Sequence, residues 1–371
     1  MRFPEFTGEW KEHSLSEYLE FKNGLNPDAK RIGKGIPFLS VMDILADGVI
    51  NYDNIRGKVE ATEKEIESFG VNSGDLLFQR SSETLEDVGR ANVYMDNRTA
   101  VYGGFVIRGR KIGSYDPFFV KYLLATPLAR KRTCRMGAGA QHFNIGQESL
   151  AKISLYFPSM EEQQKIAEFL SLLDERIATQ NKIIDKLQSL IKGLRVRLVQ
   201  IEKGNIVHLN EIASIYQPQT IASTELTEDG FWVYGANGII GKYKDYNHKT
   251  EQICIACRGN TCGMVNYTKP MSWITGNAMV INTDEHQDKV CKRYMFHYLS
   301  AYNFNSIISG SGQPQIVRTP LEQLKITLPS ILEQKQKAMF LDKIQGKIEI
   351  SNKILSLHIQ QKQYLLRQMF I

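Results

Sequence analysis

The chain has 371 residues, 42% hydrophobic and 23% charged, which is an ordinary globular composition with room for two or three cores. No run of 18 apolar residues occurs and the first residues lack a secretory apolar stretch, so the sequence predicts neither a membrane-spanning nor an exported protein. Five cysteines are too few for a disulfide framework at this length and fit a reducing cytoplasm, while a net charge of +6 admits an acidic partner such as nucleic acid.

Residues 1–157 read as a first globular segment. Phe3-Pro4-Glu5-Phe6 and Trp10 open it. Residues 15–21 have helical spacing, with Gly24 as a stop, and residues 36–41 read as a strand. Residues 63–67 form a short charged helix or turn. Gly74-Asp75 is a turn leading into the buried strand Leu76-Leu77-Phe78, followed by the polar Gln79-Arg80-Ser81-Ser82 and a loop to Arg90. Residues 100–107 read as one strand and 118–128 as one helix. Lys131, Arg132, Arg135 and the loop Gly137-Ala138-Gly139-Ala140-Gln141-His142 follow.

The stretch 158–203 changes character. Ile166, Leu170, Leu173, Ile177, Gln180, Ile184, Leu187, Ile191, Leu194 and Leu198 recur at alternating steps of four and three, and only Gln180 is polar. Sustained heptads predict one long helix seeking a partner helix, roughly 60 Å in extent at about 1.5 Å per residue. The partner lies in the same chain. A shift of 171 residues turns Pro158-Ser159-Met160-Glu161-Glu162-Gln163 into Pro329-Ser330-Ile331-Leu332-Glu333-Gln334, and Gln180 into Ser351. In both copies Pro ends a strand, Ser caps and acidic or amide residues fill the first turn. Leu170, Leu173, Ile177, Gln180 and Ile184 are expected along one side of an antiparallel pair. Leu341, Ile344, Ile348, Ser351 and Leu355 are expected along the other.

Between the helices, residues 204–328 repeat the first segment in looser spelling. Trp232-Val233-Tyr234 and Gly235-Ala236-Asn237-Gly238 stand for a strand and turn, and residues 253–256 for the buried strand. Arg258-Gly259-Asn260-Thr261 takes the place of Arg80-Ser81-Ser82, and 273–281 that of 100–107. Residues 294–299 are the helix, and Gly310-Ser311-Gly312-Gln313-Pro314-Gln315 answers the Gly137 loop. The order is therefore globular segment, long helix, globular segment, long helix (329–371). The fold class is α+β.

No catalytic centre emerges. Gly235 to Gly241-Lys242 has the wrong spacing for a phosphate loop, and no H-E-x-x-H occurs. Ser114-Tyr115-Asp116-Pro117-Phe118 lacks the second Pro of the Asp-Pro-Pro-Tyr of amino-methyltransferases. Cys254-x-x-Cys257-x4-Cys262 with His286 and Cys291 has the elements of a zinc site, but Cys254 lies in an apolar strand, where Cys acts as a small hydrophobe. No catalytic residue, metal ligand or cofactor is assigned to this chain. Polar, Gly-rich loops after buried strands suit base reading, since Arg pairs with guanine and Asn or Gln with adenine through two hydrogen bonds. Gln79, Arg80, Ser81, Arg90, Gln141, Arg258, Asn260, Thr261, Gln313 and Gln315 are the candidate base readers. Lys131, Arg132, Arg135 and Arg318 are candidates for phosphate contacts, which position rather than specify.

On Phe3-Pro4-Glu5-Phe6, Trp10, Gly74-Asp75-Leu76-Leu77-Phe78 with Arg80-Ser81, Gly310-Ser311-Gly312-Gln313 and both Pro-Ser-x-x-Glu-Gln helix starts, the chain resembles the specificity subunits of type I restriction–modification systems. The resemblance implies two target-recognition domains, 1–157 and 204–328, separated by two antiparallel helices forming a coiled coil. Each domain would read one half of a bipartite site on double-stranded DNA, with the helices setting the spacer. It implies as partners two methyltransferase subunits docked on the helices and two restriction/translocase subunits. S-adenosylmethionine, ATP and magnesium would belong to those partners, in a cytoplasmic, non-catalytic specificity role for this chain. Two other readings stay open at this level: a zinc-dependent nucleic-acid-processing protein and a coiled-coil scaffold.

Overall fold

The computed structural model describes residues 1–139, 141–200, 203–310 and 312–370. The chain divides into two compact units, Met1–Gln180 with Ile354–Ile371, and Asn181–Lys353.

In the first unit the strand Leu76–Gln79 is buried along its whole length. It is central in an antiparallel sheet of order Leu19–Asn23, Val106–Lys111, Leu76–Gln79, Ala91–Val93, in which Ile107 faces both Asn23 and Phe78. A mixed sheet adjoins it, with Ile32–Leu39 antiparallel to Lys58–Val59 and parallel to Ala100–Tyr102. Lys11–Ser14 pairs with Ser154–Phe157, the strand that feeds the first long helix, Met160–Val199. Ile166, Leu170 and Leu173 of that helix share a core with Phe119, Leu123, Leu365 and Met369.

Three expectations change here. Residues 15–21 are not a helix. A 3-10 turn, Leu15–Glu17, is followed by the strand Leu19–Asn23, because pairing of Leu19 with Lys111 outweighs the four-residue spacing of Leu15 and Leu19. Residues 100–107 are two strands in different sheets, turned at Gly103, so the reading of one strand through Gly103-Gly104 is corrected. Residues 118–128 are two helices, Pro117–Ala125 and Pro127–Arg135. Thr126 takes an extended conformation before Pro127 and its hydroxyl accepts from Ala129 N, starting the second helix afresh.

The second unit repeats this plan. Its antiparallel sheet has the order Ser214–Tyr216, Ala278–Asn282, Ile253–Ala256, Val265–Tyr267, and Asn205–His208 pairs with Lys325–Leu328 ahead of the second long helix, Ile331–Gln368. Residues 273–281 are likewise two strands, Trp273–Ile274 and Ala278–Asn282. Ile191 and Leu198, late in the first long helix, share a core with Leu341, Ile344 and Ile348, early in the second. In each unit the start of one long helix thus meets the end of the other, so the pairing is antiparallel. Along the expected stripe Leu170, Leu173, Ile184, Leu341, Ile344, Ile348 and Ser351 are buried, while Ile177, Gln180 and Leu355 are half-buried. The first long helix ends at Val199, and Ile201 and Glu202 of the expected 158–203 stretch lie outside the described residues.

The repeated Pro-Ser-x-x-Glu-Gln motif has a structural cause. Ser159 Oγ and Ser330 Oγ cap their helices, accepting from Glu162 N and Glu333 N at 3.4 and 3.3 Å. Gln163 donates to Pro158 O and accepts from Asp116 N, both at 3.1 Å. Gln334 donates to Pro329 O and Lys289 O and accepts from Cys291 N at 2.9, 3.0 and 2.9 Å. Each buried amide fastens a long helix to the start of a short one.

A candidate nucleic-acid interface

The fold brings the candidate loops together within each unit. In the first, Ser81–Ser82 pairs with Phe143–Asn144, and Ile145 N donates to Arg80 O at 3.0 Å. In the second, Arg258 bridges to Gln315, and Ile316 N donates to Cys257 O at 3.0 Å. Matching these ladders sets Arg258 against Ser81 rather than Arg80, and Gln315 against Asn144. The expected alignment of Arg258 with Arg80 is therefore corrected by one residue, which on a strand changes the face presented.

The glycine loops are corrected in the same way. Gly139 and Gly310, not Gly137 and Gly310, are equivalent. Both have positive φ, +141° and +94°, and at each an added Cβ would collide with the carbonyl three residues on, His142 O or Gln313 O. His142 thus corresponds to Gln313. Asn144 and His142 were missed as candidates. Carrying the 171-residue shift of the helices back through the loops finds both. Ala140 and Ser311 of these loops lie outside the described residues.

The candidate side chains differ in what holds them. Gln79 is buried, its Nε2 donating to Ser81 O at 2.9 Å, so it is turned inward. Arg80 donates to Gly104 O at 3.2 Å, and Ser81 Oγ donates to Asn144 Oδ1. Gln141, Arg258, Asn260, Gln313 and Gln315 are exposed, and Thr261 is half-buried. Arg90 is exposed and paired with Asp87 at 3.0 Å. It lines a groove of about 410 Å³ with Lys131, Arg130 and Glu86. Arg135 is exposed. Arg132 is occupied: it pairs with Glu12 at 2.6 Å, donates to Ser154 O and stacks on Tyr156. Arg318 pairs with Glu322 at 2.6 Å. Asp75, next to Gly74, is structural, accepting from Asn72 N and Lys111 N at 3.0 Å each, and its burial raises the carboxyl above its usual range.

In the second unit a polar cluster joins the helices. His297, fully buried, accepts from Arg195 Nε at 3.0 Å through Nδ1, so its Nε2 donates to Asp342 at 2.8 Å. A ring whose Nδ1 accepts from Arg195 is neutral, so the contact with Asp342 is a hydrogen bond rather than an ion pair, and burial holds this imidazole below its ordinary value. Burial pushes the Asp342 carboxyl up, but hydrogen bonds from His297 and Arg293 more than reverse this and hold it at about 2. Among the described residues no group of three or more His, Cys, Asp or Glu side chains could hold a metal ion. Cys254 is fully buried, and burial raises its thiol. No helix among the described residues is long and apolar enough to cross a membrane.

Two repeated α+β units, each holding a paired loop set and tied to long antiparallel helices, define a duplicated protein. The family model described as type I restriction modification DNA specificity domain matches residues 7–189 and again 202–357, and the chain belongs to this family. It is 24% identical to the type I restriction enzyme EcoprrI specificity subunit of Escherichia coli, over 89% of this chain and 86% of that one. It is also 24% identical to the MjaVIII specificity subunit of Methanocaldococcus jannaschii, over 95% and 89%. The fold matches a crystal structure of the type I system S subunit from M. genitalium with TM-score 0.68 at 16% identity, covering 100% of this chain and 99% of that one. A second match, to a chain from a structure of type I restriction–modification complex assembly and conformational transition, has TM-score 0.57 at 14% identity, over 98% and 97%.

Proposed function

We propose that this chain is the DNA sequence-recognition subunit of a type I restriction–modification complex, each unit reading one half of a bipartite site. The observation that carries this is the duplication of one scaffold with unlike chemistry at the same ladder position: Ser81 with Asn144 in one unit, Arg258 with Gln315 in the other. Unlike side chains on a shared frame suit an asymmetric target, as bases are told apart by donor and acceptor patterns. The long helices set the spacer and dock two methyltransferase subunits, which in turn work with two restriction/translocase subunits. Exposed apolar residues on those helices, Leu172, Leu190, Met339, Phe340 and Leu357, favour such docking. S-adenosylmethionine, ATP and magnesium belong to the partners, and the target base is flipped into the methyltransferase. This chain supplies specificity and no catalytic group.

Single-molecule methylation mapping of the source genome tests the reading. A methylated motif in two unlike parts separated by a fixed gap is expected. A contiguous palindromic motif, or none that depends on this chain, refutes it.

A further inference from the structure

In the second unit the strands Phe231–Gly235 and Gly238–Tyr243 form a ribbon closed by the two-residue turn Ala236-Asn237. Gly238, at φ +99°, completes that turn. The strand Gly238–Tyr243 is the last of its sheet; Thr227 N donates to Lys242 O at 2.8 Å on its outer side, but its tip is bare: Asn237 is exposed, and Ile239 and Ile240 are 47% and 50% exposed. Two neighbouring exposed isoleucines on an edge strand are a liability unless something covers them.

The ribbon emerges beside the recognition loops. Thr275 N donates to Tyr234 O at 2.9 Å, and two residues on Asn277 O accepts from Cys257 N at 3.3 Å, next to Arg258. Asn266 Nδ2 fixes the turn itself through Ala236 O at 3.1 Å. Along the ribbon Trp232 carries Lys242 and Lys269, their Nζ atoms 5.4 and 5.2 Å from the ring centre. The acidic Asp229, 3.4 Å from Lys242, and Asp245 flank the open end, away from the turn. An amide and apolar tip backed by lysines matches a duplex groove. The major groove admits a two-stranded ribbon, apolar groups meet thymine methyls there, and lysines reach the phosphates.

The first unit presents something else in this place. Its strands Ile32–Leu39 and Lys58–Val59 have the ribbon's pairing, including a parallel neighbour, but residues 40–57 connect them and include the helix Val41–Ile44.

We propose that the ribbon 231–243 is a second DNA-reading element of the second unit. It enters the major groove of the half-site addressed by Arg258 and Gln315, with Asn237 and Ile239 toward the bases and Lys242 and Lys269 toward phosphates. This rests on the reading of the chain as a DNA-recognition subunit.

The test uses the full chain in complex with its methyltransferase subunits, the methylated motif mapped in cells, and a duplex carrying the wild-type motif as binding probe. Asn237→Ala, the pair Ile239→Ser with Ile240→Ser, and the pair Lys242→Gln with Lys269→Gln are compared with Arg258→Ala. Affinity is expected to fall roughly tenfold or more in the ribbon variants. Their motif should loosen in one half only, and the lysine pair should flatten the salt dependence. Wild-type affinity and motif in the ribbon variants, while Arg258→Ala loosens the motif, overturns the ribbon's role and leaves the recognition reading standing. Lost methylation with intact DNA affinity also overturns it, because the ribbon then contacts a protein. If Arg258→Ala and every ribbon variant are silent, the recognition reading of this unit falls as well. Asn237 lies in an exposed turn, so that variant stays informative if the isoleucine pair unfolds the unit.

Discussion

Gln334→Ala is the sharpest test of how the second unit is assembled. The side chain is fully buried and makes three hydrogen bonds, to Pro329 O, Lys289 O and from Cys291 N. Truncation leaves two carbonyls and one amide without partners, beside a small void. Each neutral hydrogen bond contributes about 1 kcal/mol net, and a buried group left unpaired costs about 1–3 kcal/mol. Partial solvent access at Lys289 discounts one of the three, so the loss should be about 3 kcal/mol. Gln163→Ala removes two such bonds from the first unit and should cost about 2 kcal/mol. Urea unfolding gives the totals, and hydrogen exchange assigns them, because a chain of two units is not a single two-state system. Exchange should accelerate in the helix Lys292–Leu299 for Gln334→Ala and in Pro117–Ala125 for Gln163→Ala. The control is Gln334→Met, which keeps volume and loses polarity. If that variant matches the wild type in both measurements, the hydrogen-bond reasoning is wrong and shape alone holds the junction.

Three further outcomes are expected. Arg258→Ala should loosen one half of the methylated motif at a cost of about 1–3 kcal/mol in binding, and an unchanged methylome removes Arg258 from the readers. Inserting one heptad after Gln180 and another after Ser351 should lengthen the gap in the motif by about 10 Å, roughly three base pairs; an unaltered gap sinks the ruler idea. His297 sits below its ordinary value near 6.5 when folded, so the unfolded chain binds more protons in the intervening range. The associated stability is complete above about pH 6.5 and declines as pH falls below it. His297→Gln should flatten that decline in urea midpoints of the second unit, and identical slopes in both proteins would falsify the neutral-ring assignment.

What could be read from the residues follows what each signal depends on. The long helices were legible because a heptad stripe is a local, repeated pattern that survives divergence, and Ser159 and Ser330 cap where the letters place them. The strand Leu76–Gln79 was legible because an unbroken apolar run between turn residues has few alternatives. Residues 15–21 were not, since their strand exists only through pairing with Val106–Lys111, far along the chain. The loop equivalences failed for a conformational reason. Gly137, Gly139 and Gly310 share a letter, but only Gly139 and Gly310 share a left-handed backbone and a close carbonyl three residues on. Asn144 stayed hidden because its part depends on standing across from Ser81.

Because Leu365 and Met369 close the core around Leu170 and Leu173, the first unit is discontinuous in sequence, while the second runs unbroken from Asn181 to Lys353. The order of synthesis is then the reverse of the order of completion. The part made first keeps an open apolar flank until residues 354–371 join it, whereas the part made second needs no residue beyond 353. A released chain truncated after residue 353 should therefore hold a finished second unit and an unsealed first one, a natural place for a chaperone to bind.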